Sequence, residues 1–480
     1  MPTRLSPEMM ALRVASELRR GEVVNLGIGL PTIVADYIPK ERGVILHSEN
    51  GILGYGPHAE EGLQNENLIN ARGEHITLFP GAVSLSHNDA FSIVRSGNLD
   101  VAVLGALQVS QRGDLSNWMV PDMGIGSPGG SLDIAAAAKR LIVIMRHNTS
   151  DGKLKILEHC SYPLTVSGRV NRIITDIAVL DVTSEGLLIK ELAPGWAPET
   201  VQELTGATLN VSSDLKEMDF SFVDEPHFSK IYPNAAAAVY DVFDGAVVLM
   251  DGFGGLGGMA HSLMLALRDH GAKELTIVSN TAGIARVSAF GAPPSPNLQA
   301  IDHSVLVENG QIKKAIASFP VSPSPSRTSA FEEAYNRGEV ELEIVPQGTL
   351  AERLRAGGSG VAAIYTPTGV GTMAANGKEI RVINGLEYIL ERAIKGDFAF
   401  IRADKADTLG NLIYKGTSRN FNAVMARAAD VTIVEVDDIV EPGELHPDSI
   451  ITPGIYVNRI VQRPPGFSSF LPVHEAGPYA

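Results

Sequence analysis

One local grammar occurs twice in this chain of 480 residues: a short strand apolar on both faces, a glycine-rich turn, then a helical pattern. The first copy is Val23-Val24-Asn25-Leu26, running into Gly27-Ile28-Gly29-Leu30-Pro31 and a helical pattern that continues to Tyr37. The second is Ala246-Val247-Val248-Leu249-Met250, five glycines between Asp251 and Gly258, and a helical pattern from Met259 to Asp269. Strands without a polar face need helices over both sides of their sheet. The expectation is therefore an α/β protein of two similar α/β domains with largely parallel sheets. Further strands are expected at Val44–His47, Val101–Leu107, Leu141–Met145, Ile174–Val182, Glu274–Ser279, Phe398–Arg402 and Val431–Glu435. A polar stretch around Leu215–Lys230 separates the two copies. The domains are placed at 1–217 and 231–462, with a linker over 218–230 and an unassigned tail over 463–480.

The first helix carries its own punctuation. Ser6 stands at the N-cap position, Pro7 in the first turn and Gly21 beyond the end, while Met10, Val14 and Leu18 form one apolar stripe. No apolar h-region follows the start, and runs such as Val101–Leu107 fall far short of the ~18–20 residues of a spanning helix. A cytoplasmic protein without a membrane partner is expected. With 39 Lys+Arg against 55 Asp+Glu the formal charge is −16, which argues against nucleic acid as a partner. A single cysteine, Cys160, rules out an intramolecular disulfide and thiolate-rich zinc sites. The 12 histidines show no H-E-x-x-H spacing, so no catalytic metal is expected.

Two segments compete as carriers of chemistry. Gly252, Gly254, Gly255 and Gly257 follow a strand and open a helix, which leaves backbone N–H groups free to face an anion, or makes a tight turn with no ligand. A dinucleotide fold would place an acidic residue after the next strand, and Ser279-Asn280 stands there instead. The other segment is Ser48-Glu49-Asn50-Gly51-Ile52-Leu53-Gly54-Tyr55-Gly56-Pro57, read as a loop that puts Glu49 at the carboxyl end of a parallel strand. From composition alone a solvated surface glutamate remains the competing reading.

His47–Pro57 (HSENGILGYGP) resembles the signature of the class I coenzyme A transferases, the 3-oxoacid CoA-transferase family, in its catalytic B subunit. Asn25-Leu26-Gly27-Ile28-Gly29-Leu30-Pro31-Thr32 and the run Gly105-Ala106-Leu107-Gln108-Val109-Ser110 to Gly113-Asp114-Leu115-Ser116-Asn117-Trp118 are similar to further B-subunit motifs. The second half resembles the A subunit, through Pro346-Gln347-Gly348-Thr349-Leu350-Ala351-Glu352-Arg353 and Tyr365-Thr366-Pro367-Thr368-Gly369-Val370-Gly371-Thr372. Lys405-Ala406-Asp407, Gly410-Asn411, Arg419-Asn420-Phe421-Asn422 and Val440-Glu441-Pro442-Gly443 follow in the family's order. The chain thus resembles fused subunits in the order B then A, akin to succinyl-CoA:3-ketoacid CoA-transferases and the NagB/RpiA/CoA-transferase-like fold.

The resemblance implies that Glu49 is the nucleophile of a ping-pong reaction through a glutamyl-CoA thioester. It implies ligand contacts at Asn25, at the backbone amides of Gly130 and Ser131, and at Gln347 of the other half, so that the site would use both halves. It implies coenzyme A as a co-substrate with no permanently bound cofactor, succinyl-CoA as donor and a 3-oxoacid such as acetoacetate as acceptor. By analogy a homodimer is expected. Read without the resemblance, Asn25 simply hydrogen-bonds a turn, Gln347 is a turn residue and Cys160 a small buried core residue.

Two departures touch specificity. Ile125-Gly126-Ser127-Pro128-Gly129-Gly130-Ser131-Leu132-Asp133 lacks the family's lysine and has Ser131 in place of alanine. Gly257-Gly258-Met259-Ala260-His261-Ser262-Leu263 lacks the family's proline. A dicarboxylic acceptor such as 3-oxoadipate therefore competes with acetoacetate. An acyl-CoA hydrolase using Glu49 as general base, and a non-enzymatic metabolite sensor, are the remaining readings.

Overall fold

The computed structural model describes residues 2–223, 229–284, 295, 297–322 and 328–472. The chain divides into two compact units, Met1–His227 and Phe228–Ala480. Part of the linker expected over 218–230, residues 224–228, and the end of the expected tail, 473–480, lie outside the described residues.

The first unit opens with α1 (Pro7–Ala15), capped by Ser6, whose hydroxyl accepts from Met9 N–H. The helix stops at Ala15, well before Gly21. Single turns from Glu17 N–H to Val14 O and from Leu18 N–H to Ala15 O carry the chain on. The apolar stripe survives this tightening, since Met10, Val14 and Leu18 are all buried. The strands that matter for the site are β1 (Val23–Leu26), β2 (Ile45–Ser48), β3 (Ile52–His58), β4 (Ile76–Ser84) and β5 (Val101–Leu104). β1 lies between β2 and β5 and is parallel to both. Arg140–Ile144 and Val170–Ile174 extend the parallel region beyond β5. On the far side β2, β3 and β4 form an antiparallel meander.

The strand expected over Ile174–Val182 is two strands, Val170–Ile174 and Ala178–Thr183, paired antiparallel. Thr175 makes the break: its hydroxyl oxygen accepts from Ala178 N–H at 3.0 Å and from Ile177 N–H at 3.3 Å. A side chain that offers the backbone a local acceptor competes with the ladder, and an apolar run gives no sign of it.

In the second unit the main sheet runs parallel from Ile231–Tyr232 through Arg459–Gln462, Ala429–Val440, Gly396–Asp407, Val247–Met250, Leu275–Thr281 and Ile312–Phe319 to Glu341–Ile344. Val248 and Met250 pack into one apolar cluster and Leu249 into another. The period of two along the strand therefore delivers buried side chains to both faces, as a sheet covered on both sides requires. Part of the expected tail is ordered into the unit: Phe470–Pro472 pairs antiparallel with Leu298–Ala300.

The five parallel strands around the strand of the repeated motif have the same order in both units. The first strand lies between the second and the third, and the fourth and fifth lie outside the third. In each unit the connections leave the first and third strands in opposite directions. That switch point is where an open α/β sheet leaves room for a ligand.

Candidate active site

Backbone geometry places Glu49. Ser48 of β2 pairs with Ile52 of β3, so Glu49, Asn50 and Gly51 form the hairpin turn, closed by Gly51 N–H donating to Ser48 O at 3.0 Å. The segment expected to be a loop up to Pro57 is therefore a three-residue turn and the strand β3. Gly51 has φ +119°, and a Cβ there would collide with Leu85 O. Leu85 N–H in turn donates to Gly51 O at 2.7 Å. Only glycine meets both conditions. Because β2 is parallel to β1, the turn lies at the carboxyl edge of the parallel strands, and Glu49 is half-buried there.

Asn25 reaches Glu49 from β1. The β1/β2 register sets Asn25 opposite His47. Asn25 Nδ2 donates to Glu49 Oε2 at 3.1 Å and lies 3.2 Å from both His47 O and His47 Nδ1. His47 is fully buried and its Nε2 lies 3.1 Å from Ala90 O, on helix α2 (His87–Arg95). Burial holds the His47 pKa below the ordinary histidine range, against the pull of the Ala90 carbonyl and the Glu49 charge. Burial also keeps the Tyr55 phenol neutral, with the Glu49 and Asp36 carboxylates pushing the same way. Asn25 Oδ1 and Ser48 Oγ are buried without a hydrogen-bond partner. Unused polar capacity beside a carboxylate is what a site that receives a polar ligand looks like. His47 is the member of this group that sequence reasoning missed. Its signal lies in the register, which sets it beside Asn25 across 22 residues of chain.

Of the two expected amide donors, Gly130 and Ser131, the second is already engaged within the chain. Ser131 N–H donates to Pro128 O at 3.0 Å and its hydroxyl donates to the same oxygen at 2.6 Å. This amide closes a turn and is not free for an oxyanion. Gly130 packs on α2, where a Cβ would come within 3.0 Å of Phe91 Cζ.

In the second unit the glycine run encloses an anion of its own. Asp251 is buried, and its carboxylate accepts from Phe253 N–H at 3.1 Å, Gly254 N–H at 3.0 Å and Asn422 Nδ2 at 3.3 Å. Burial outweighs these donors and leaves the Asp251 pKa pushed up to about 7. A Cβ at Gly254 would collide with the Asp251 carboxylate, one at Gly258 would lie 2.7 Å from it, and one at Gly252 would collide with the Ser279 hydroxyl. Gly255 takes φ +70°, and a Cβ added at Gly257 would lie 3.6 Å from Ser418 Cβ, an ordinary contact. The helix that follows starts at His261, and Ser262 N–H donates to Glu435 at 2.7 Å. The expectation of amides free to face an external anion is thus corrected for Phe253, Gly254 and Ser262.

Gln347 is the first residue of the helix Gln347–Gly358 rather than a turn residue. It lines a cavity of about 400 Å³ together with Gly348, Ala351, Asn420, Phe421 and Val424. Asn420 holds φ +22°, a strained conformation for a residue with a Cβ, at the wall of this cavity. Among the described residues no group of His, Cys, Asp and Glu is arranged to hold a metal ion, and no helix is long and apolar enough to cross a membrane.

The sequence model of the coenzyme A transferase family matches residues 7–204 and 232–463, which is most of the chain. The chain belongs to the coenzyme A transferase family. One relative, the A subunit of a probable succinyl-CoA:3-ketoacid coenzyme A transferase of Bacillus subtilis (strain 168), is 46% identical over 232 residues, 48% of this chain and 89% of that protein. The B subunit of the 3-oxoadipate CoA-transferase of Pseudomonas putida is 46% identical over 207 residues, 43% of this chain and 97% of that protein. A crystal structure of the acyl-CoA transferase YdiF from E. coli O157:H7, in a thioester complex with CoA, is 24% identical with a TM-score of 0.41, over 50% of each chain. This CoA-transferase therefore carries in one polypeptide the counterparts of two separate subunits, B then A, and is an enzyme of the 3-oxoacid CoA-transferase type.

Proposed function

We propose that this CoA-transferase moves coenzyme A from succinyl-CoA to a 3-oxoacid through a covalent thioester on Glu49. The observation that carries the proposal is the Glu49 carboxylate held in the turn between β2 and β3 at the carboxyl edge of the parallel strands, with the Asn25 amide donating to it at 3.1 Å. In the proposed cycle a Glu49 oxygen attacks the donor thioester carbonyl, the C–S bond breaks, and CoA leaves as thiolate. The thiolate then attacks the Glu49 carbonyl of the mixed anhydride. This forms the glutamyl–CoA thioester and releases the first acid as its carboxylate. The acceptor carboxylate reverses both steps, leaves as the new acyl-CoA and restores the Glu49 carboxylate.

A carboxylate is a weak nucleophile, so position must do most of the work. Holding it in line with the thioester is worth up to ~7–11 kcal/mol through effective molarity. A preorganised donor to the oxyanion is worth ~2.7–4 kcal/mol. Asn25 Nδ2, already turned to the carboxylate, is the proposed donor, and Gly130 and Gln347 are proposed ligand contacts on the resemblance alone. Acetoacetate and 3-oxoadipate both remain candidate acceptors. The A subunit of a 3-oxoadipate CoA-transferase of Pseudomonas putida is 43% identical over 233 residues, near the 46% of the Bacillus subtilis relative. A homodimer is proposed by analogy.

The test is intact-protein mass spectrometry after incubation with a panel of acyl-CoAs. A CoA-sized mass increase, mapped by borohydride or hydroxylamine to the peptide containing Glu49, is the expected result, and the donors that load it identify the acid. Thioester loss that runs as fast without any acceptor acid would convert the reading to an acyl-CoA hydrolase.

A further inference from the structure

We infer that His47 is a positioning residue for the transfer reaction: anchored through Nε2–H on Ala90 O, it uses its Nδ1 lone pair to hold the Asn25 amide with NH2 towards Glu49. This inference rests on the reading of Glu49 as the residue that carries CoA. The argument starts from what each partner can do. A backbone carbonyl only accepts, so Nε2, 3.1 Å from Ala90 O, carries the ring proton. Nδ1 is then an acceptor, and the group facing it at 3.2 Å has to be the Asn25 NH2. Three acceptors converge on that nitrogen, namely His47 Nδ1, His47 O and Glu49 Oε2. A reversed amide would set Oδ1 against all three.

The imidazole matters most once Glu49 has reacted. A free carboxylate attracts the NH2 by its charge, but the anhydride and thioester forms of Glu49 are neutral carbonyls and weaker acceptors. His47 O and Nδ1 are unchanged by the chemistry. They keep one amide hydrogen occupied and the other directed at the Glu49 oxygen that becomes the oxyanion when CoA thiolate adds to the Glu49 carbonyl. The anchor is rigid, because Ala90 is buried in α2, whose N-terminus is capped by Ser86 accepting from Asp89 N–H. Glu49 thus receives its donor through a chain that begins on the backbone of a helix and passes through two buried side chains.

The test compares His47→Leu, which fills the space but has neither donor nor acceptor, with His47→Gln, whose amide offers both. Single-turnover loading of CoA is followed by intact mass, and overall exchange is followed in parallel. His47→Leu is expected to lower both rates roughly 10–100-fold with the KM for acyl-CoA nearly unchanged, and His47→Gln to recover most of the loss. In an Asn25→Ala background His47→Leu should add almost nothing. Losses that multiply in the double variant, or loading by His47→Leu at the wild-type rate, would overturn the inference. Should His47→Leu fail to fold, nitrogen-15 shifts of the wild-type ring decide: the neutral ring is expected to carry its proton on Nε2, and a neutral ring protonated on Nδ1 overturns the inference. A wild-type enzyme that exchanges CoA with no mass adduct would sink the reading of Glu49 instead, while the coupling of His47 to Asn25 would still be measured on overall exchange.

Discussion

The two units use one strand order to opposite ends. In the first unit the strand after the first motif copy ends at Ser48, and the chain doubles back as an antiparallel hairpin with Glu49 in its turn. In the second the corresponding strand, Leu275–Thr281, runs on beside Ile312–Phe319 in parallel. The registers allow the positions to be matched. Asn25 lies opposite His47, two residues before Gly27; Leu249 lies opposite Val278, which sets Met250, two residues before Gly252, beside Ser279. Thr281 then takes the place of Glu49. It is buried, and its hydroxyl donates to Gly252 O at 3.1 Å. The acid of the second unit lies instead under the glycine loop, as Asp251, enclosed by the amides of its own turn. One turn, rather than the sheet, decides which unit presents a carboxylate at the edge of its parallel strands.

The comparison breaks most visibly at Glu49. Glu49→Gln should lower CoA exchange by about a thousandfold or more while circular dichroism stays unchanged, since the proposed nucleophile is lost and no packing is. Retained exchange would move the chemistry elsewhere.

A smaller effect separates the two kinds of glycine. Gly51→Ala combines a left-handed backbone, ~1–3 kcal/mol, with a collision against Leu85 O that adds about as much. Gly255→Ala, at φ +70° with nothing within 4 Å, should cost only ~1 kcal/mol. Urea unfolding monitored for each variant checks the order, and equal costs would remove the tight hairpin as the distinguishing device.

Asp251 supplies a pH-dependent difference. Its folded pKa of about 7 lies above the unfolded carboxyl value near 3.8, so between these pH values the folded state binds more protons than the unfolded one. The stability associated with the protonated acid is complete below pH 4 and is lost as pH rises through 7, by on the order of a few kcal/mol. Asp251→Asn lacks this titration. Raising pH from 4 to 8 should therefore shift the stability difference towards the variant, as read from denaturation midpoints. A pH-independent difference would sink the picture of a loop folded around its own titrating acid. The smallest effect is expected at the matched position: Thr281→Val should change exchange less than twofold.

Much of this was legible in the sequence where local pattern and tertiary demand agree. The apolar runs at Val23–Leu26 and Val247–Met250, the Ser6 cap and the position of Glu49 after β2 all emerge at their expected places. β3 was hidden because Gly54 and Gly56 read as loop residues. They are there because β4 presses on them, a Cβ at Gly54 meeting Ala82 Cα at 3.1 Å and one at Gly56 meeting Thr77 Oγ1 at 2.6 Å. The inward use of the glycine loop was hidden for a related reason: spacing shows that amides are available, but not that a residue inside the same turn will take them. The pairing of His47 with Asn25 depends on strand register, which no local pattern reports.

The hairpin that holds Glu49 has no slack. With Ser48 and Ile52 paired into the sheet on either side, the backbone that carries Glu49 is fixed, so under the proposed cycle each new substrate has to be delivered to that point. Choice of acid and ability to react are then separable traits. Retuning this enzyme towards a different acid should succeed by remodelling the walls that deliver the acid, and fail whenever residues 47–52 are disturbed.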